Sequence, residues 1–68
     1  MILGMNNFAK NLKELRLEAR MSQTELAEKL GVSQRTVSSW ELGARQPDYD
    51  TLLKLARFFG VTTDNLLE

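Results

Sequence analysis

Apolar residues recur at helical spacing along nearly the whole chain. Phe8, Leu12, Leu15 and Ala19 lie three or four apart, so a first helix turns one stripe to the core, with Asn6 or Asn7 placed to cap its start. Arg20-Met21 breaks the stripe, and Arg16 sits beside it. Ser22 then opens a second helix through a capping box, because Glu25 stands at the third helical position and can return a bond to the Ser22 N–H. Leu26 and Leu30 are its apolar positions, Gly31 stops it, and Ser33 starts a third helix through Glu41 that carries Val37 and Trp40. Gly43 and Pro47 separate this helix from a fourth, capped by Asp48, with Asp50 in the first turn and Leu52, Leu55, Ala56 and Phe59 on its inner face. Gly60 ends the fourth helix, and a short fifth runs from Thr63 to Leu67. Met21, Val32 and Val61 each precede a cap and stand opposite Leu26, Val37 and Leu66, so three helix starts carry a hydrophobic staple. The pattern contains no strand alternation, which makes the expected fold all-α.

The stretch 22–41 organises the rest. Ala27 is small enough to let a neighbouring helix axis approach closely, where a Leu would hold the two apart. Gly31, four residues on, occupies the position past a helix end where a positive φ is wanted. Val37, six residues further, points back into the corner that the two helices make. With Leu26, Leu30, Val32 and Trp40, this spacing resembles the helix-turn-helix of the phage repressor/Cro (XRE-like) family. The match extends over nearly all of residues 7–67, and it implies a compact five-helix domain of the lambda-repressor-like type with a central helix-turn-helix. Residues 1–6, with Gly4 and a second methionine at Met5, read as a flexible leader, an expression remnant or an alternative start, outside the domain of residues 7–68.

The second motif helix has two unlike faces. At about 100° per residue, Val37, Trp40 and Glu41 share one side, while Gln34, Arg35, Ser38 and Ser39 occupy the opposite arc. That arc holds an amide, a guanidinium and two hydroxyls and no acid, a set that hydrogen-bonds to base edges and phosphates. On an arbitrary helix it would be a solvated face and nothing more; the corner geometry of Ala27, Gly31 and Val37 makes DNA the better expectation.

Composition narrows the alternatives. Sixty-eight residues allow one domain with modest stability. The absence of Cys and His removes disulfides, thiol chemistry and the common zinc sites, and with no Gly-rich phosphate loop it argues against an enzyme, a metal or a cofactor. No apolar run approaches the roughly 20 residues of a membrane span and no signal-peptide order is present, so a cytoplasmic protein is expected. Nine Lys and Arg against nine Asp and Glu leave no net charge, which weighs against nucleic acid. Distribution offsets this: residues 1–13 carry two Lys and no acid, residues 29–40 carry Lys29 and Arg35 and no acid, and the acids gather at Glu25, Glu28, Asp48, Asp50, Asp64 and Glu68.

Residue by residue, the resemblance implies a transcriptional regulator of repressor type that inserts the helix 33–41 into the major groove of double-stranded DNA, as a weak homodimer strengthened on a near-palindromic operator. Gln34, Arg35 and Ser39, with Ser38, are the implied base contacts. Ser22, Gln23, Thr36 and Arg45 are the implied phosphate contacts, and for Ser22 and Gln23 the free N–H groups of a helix start point the same way. Arg16 and Glu41 are implied to pair, which agrees with the poor placement of an acid at a helix C-terminus. The other function expected of such a fold, given its zero net charge, is a protein-interaction or antitoxin module with the same face repurposed.

Overall fold

In the computed structural model, which describes residues 7–68, the chain forms five helices: α1 (Phe8–Glu18), α2 (Gln23–Leu30), α3 (Gln34–Glu41), α4 (Tyr49–Phe59) and α5 (Thr63–Leu67). The expectations placed on residues 1–6, including a cap by Asn6, lie outside the described residues. Among the described residues there is no strand, and no helix is long and apolar enough to cross a membrane.

Four of the five helix starts follow from side-chain chemistry. Ser22 Oγ accepts from the Glu25 N–H at 3.0 Å while Glu25 Oε1 accepts from the Ser22 N–H at 2.7 Å, closing the capping box. Ser33, Asp48 and Thr62 cap α3, α4 and α5 by accepting from the N–H three residues on, at 3.1, 2.8 and 2.9 Å. Each such cap stabilises its helix by about 1 kcal/mol. The start of α1 departs from expectation. Asn7 occupies the cap position, but its side chain accepts nothing from the first turn; it donates through Nδ2 to the Glu68 carbonyl at 2.6 Å. The Asn7 N–H donates to Leu67 O at 2.9 Å, and Asn11 Nδ2 donates to the Asn65 and Leu66 carbonyls at 3.1 and 3.0 Å. A clasp of asparagines thus holds the start of α1 against the last turn of α5, satisfying carbonyls that a short helix leaves open.

One core fills the space between the helices. Phe8 and Leu12 from α1, Leu26, Ala27 and Leu30 from α2, Val37 and Trp40 from α3, Leu55 and Ala56 from α4 and Leu66 from α5 are buried together. Phe8 meets Trp40 edge to face, ring centroids 6.5 Å apart. Met21, Val32 and Val61 pack against this core, as the staples require. Ala19 does not belong to it. It is exposed and stands at the C-cap of α1, because the helix stops at Glu18 and Arg20 turns the chain with φ 58°. Arg16 takes a deeper place than a position beside the stripe suggests, being buried with the core residues.

The corner between α2 and α3 has the expected construction. Ala27 is 2% exposed and Val37 fully buried, and these two helices share the most extensive contact in the domain. Gly31 ends α2 with φ 73°, a left-handed conformation that a β-carbon penalises.

Candidate nucleic-acid interface

The outward arc of α3 starts where the Ser33 cap fixes the first turn. Gln34 and Arg35 are exposed there, and Ser38 and Ser39, one turn on, are half-buried. Val37 and Trp40 hold the opposite side in the core, so the helix cannot rotate without exposing them. Arg45 is exposed in the segment after α3, whose N–H groups at Ala44 and Arg45 donate to Ser39 O at 3.0 and 3.4 Å. Thr36 is half-buried, its Oγ1 lying 2.9 Å from Ser33 Oγ, so this hydroxyl is already engaged beside the cap.

Beneath the arc, Arg16 reaches from α1 to Glu41 on the last turn of α3. Its Nε donates to Glu41 Oε2 at 2.7 Å and its Nη2 to Oε1 at 3.0 Å, a two-pronged pair whose side chains are 9% and 4% exposed. Nη1 donates to the Met21 carbonyl at 2.8 Å, which ties the turn before α2 into the same knot. Burial pushes the Glu41 carboxyl up, but hydrogen bonds from Arg16 and Gln23 and the charges of Arg16 and Lys13 outweigh it and hold the carboxyl below its ordinary value. The hydrogen bond to Glu41 likewise raises Arg16 against the opposing effect of burial. Glu41 is therefore an ionised acceptor at neutral pH.

The pair continues outward to the surface. Gln23 Nε2 donates to Glu41 Oε1 at 3.0 Å, and Gln23 Oε1 accepts from Gln34 Nε2 at 2.6 Å. Gln23 and Gln34, assigned to separate contact groups from the sequence, are thus bonded to each other and, through Glu41, to Arg16. Each glutamine is the first residue of its helix, and the crossing of α2 and α3 brings the two starts together. Nothing in the local pattern announces this link, since it depends on how close Ala27 lets the helices come. Among the described residues no group of acidic side chains is placed to hold a metal ion.

Two short helices thus cross at a tight turn over a shared core, and residues 12–66 match the helix-turn-helix family. The chain belongs to that family, in its phage repressor/Cro-like (XRE-type) branch. The regulator ImmR of Bacillus subtilis is 46% identical over 61 residues, covering 90% of this chain and 48% of its own. A transcriptional regulator from Listeria innocua superimposes with a TM-score of 0.87 at 35% identity, over 91% of this chain and 58% of its own. The P22 c2 repressor, solved in complex with a synthetic operator, superimposes with a TM-score of 0.84 at 26% identity, over 90% of this chain and 92% of its own. The domain spans about half the length of the curated relatives it matches.

Proposed function

We propose that this domain binds double-stranded DNA by seating α3 in the major groove, as the sequence-reading part of a transcriptional regulator of repressor type working in the cytoplasm. The observation that carries this reading is the outward arc of α3: Gln34, Arg35, Ser38 and Ser39, free of acids, on a helix whose rotation is fixed by Val37 and Trp40. Arg35 offers a two-pronged donor to a guanine edge and Gln34 a donor and acceptor to an adenine edge, while Ser38 and Ser39 reach the nearest base or phosphate.

Ser22, Gln23, Thr36 and Arg45 flank the arc as backbone contacts in this reading. The start of α2 supports it, since the capping box engages the N–H groups of Ser22 and Glu25 and leaves those of Gln23 and Thr24 at the positive end of a helix, where an anion is favoured. Thr36, whose hydroxyl already meets Ser33, contributes as an acceptor or a relayed donor. A single short helix reads few bases, so useful specificity calls for a second copy on a near-palindrome, with half-sites roughly 34 Å apart. Exposed Tyr49, 69% accessible, and the segments 46–49 and 60–66 are the surface proposed for that weak dimer.

Selection of bound duplexes from a random pool, followed by footprinting of the selected site, tests both parts. A near-palindromic consensus protected over two half-sites is expected. Failure to retain any duplex at low salt would point instead to a protein partner for the same face, and a single protected half-site at saturation would rule out the dimer.

A further inference from the structure

Four consecutive backbone carbonyls at the end of α5, those of residues 65–68, find donors in one place, the start of α1. Asn11 Nδ2 carries two N–H groups and gives one to Asn65 O at 3.1 Å and the other to Leu66 O at 3.0 Å. The Asn7 N–H donates to Leu67 O at 2.9 Å, and Asn7 Nδ2 to Glu68 O at 2.6 Å. These are carbonyls that a helix end cannot satisfy from within. α5 has five residues, far fewer than the roughly 12 at which a helix begins to hold in isolation, and Leu66 is its buried residue. Its placement is therefore decided by what it is tied to, and its most extensive contact is with α1.

The other end of α1 is tied to the helix-turn-helix. Arg16 grips Glu41 on the last turn of α3 and the Met21 carbonyl ahead of α2. One helix thus joins the outward arc of α3 to the segment 60–66 through side-chain hydrogen bonds at both of its ends. We infer that Asn11 is a positioning residue for cooperative binding: by locking α5 onto α1 it presents the surface that meets a second copy at a set place relative to α3. A surface already ordered loses little freedom when it pairs, so more of the contact between copies remains as coupling. This rests on the dimer proposed above, in which the segment 60–66 faces the second copy. Asn11 contacts no DNA in that arrangement and adds nothing to the affinity of one copy for one half-site.

The test is made at Asn11, because the Asn7 N–H persists in any variant but proline. Asn11→Ala removes the fork and, alanine being a strong helix former, keeps α1 intact. Asn11→Asp keeps the shape of the side chain and removes both donors. Each protein is titrated onto a duplex with one selected half-site and onto a duplex with two at the selected spacing, at a temperature where thermal unfolding shows it folded. Wild type is expected to fill the second half-site about tenfold or more tighter than the first, and both variants to lose most of that factor. Asn11→Ala should bind the single half-site as wild type does. A general loss of stability weakens both steps alike and leaves their ratio unchanged, so the ratio reports positioning and not folding. Cooperativity that survives in Asn11→Ala overturns the inference, and a loss in Asn11→Asp alone does the same, since it would come from the added charge. A loss confined to single half-site affinity also overturns it. Wild type that fills the two half-sites independently overturns the dimer itself, and the inference with it, while leaving DNA binding by the single domain intact.

Discussion

Arg16 and Glu41, 25 residues apart in the chain, meet through two hydrogen bonds of 2.7 and 3.0 Å that leave their side chains 9% and 4% exposed. A pair so placed has surrendered its hydration, and each charge is tolerable only because the other is there. Removing one partner strands the survivor, which costs about 3 kcal/mol or more, whereas removing both leaves only the loss of packing. Arg16→Met and Glu41→Leu should therefore each lower the melting temperature further than the double variant does. Thermal unfolding of the four proteins measures this, and losses that simply add would mean that the two side chains do not interact.

The contact groups should fail in different ways. Arg35→Ala is expected to cost about 1–3 kcal/mol on the selected site and to relax the choice at one base pair. Arg45→Ala should weaken all duplexes alike and lower the salt slope by about one, because it releases no counterion once its charge is gone. Gln23→Ala removes a neutral contact, so the slope should stay nearly unchanged; the bond it makes to Gln34 means that some specificity should be lost along with affinity. Titrations on the selected and a scrambled duplex across a salt series separate the three. Equal losses on both duplexes for Arg35→Ala would make its part electrostatic.

Stability should be flat between pH 5 and 8 and fall only in acid. The Thr51 hydroxyl and N–H hold the Asp48 carboxyl below its usual value, and Glu41 is held low by the bonds described above. For both groups the unfolded chain binds protons more readily than the folded one, so their contribution is complete above the unfolded value of about 4 and is lost as the pH falls through the folded one. With no His in the chain, no side chain of ordinary pKa titrates between 5 and 8. Urea unfolding from pH 7 to 2 should give a plateau and then a decline, and Asp48→Asn should make the decline shallower.

The α2–α3 corner can be probed at two positions that fail by different mechanisms. A β-carbon on Gly31 would meet nothing within 4 Å, so Gly31→Ala should cost only the strain of φ 73°, about 1 kcal/mol, and Gly31→Asn less. Ala27 lies under α3 at 2% exposure, so Ala27→Leu should cost about 1–3 kcal/mol through overpacking and should also disturb the Gln23–Gln34 bond. Chemical denaturation gives both losses, and DNA selectivity should change only for Ala27→Leu.

The helix count and most helix boundaries were legible because their determinants are local. A Ser, Thr or Asp followed by an apolar repeat fixes a helix start within four residues, and Ser22, Ser33, Asp48 and Thr62 all behave so. Asn7 has the right chemistry for a cap, but the Glu68 carbonyl just past α5, 61 residues away, takes its side-chain amide. Ala19 continues the spacing of the first helix, yet it falls just past the point where Arg20 turns the chain, and an alanine is too small to compel burial. The partnership of Arg16 with Glu41 was implied by the family resemblance, and an acid placed against the helix dipole agreed with it. The bond between Gln23 and Gln34 was not, since each residue looks like an independent polar start of a helix until the two axes are set in space.

The asparagine clasp between α1 and α5 has a bearing on the unfolded chain as well as the folded one. Asn7 and Glu68 sit within a hydrogen bond of each other, so the backbone of residues 7–68 is already nearly a closed ring. A peptide of a few residues joining position 68 back to position 7 would close that ring covalently without bending any helix. The segment 7–68 would lose freedom in the unfolded ensemble, which the chain-entropy argument sets at about 4 kcal/mol for a loop of this length. Closing residues 7–68 is thus a route to a hardier domain that leaves the outward arc of α3 untouched.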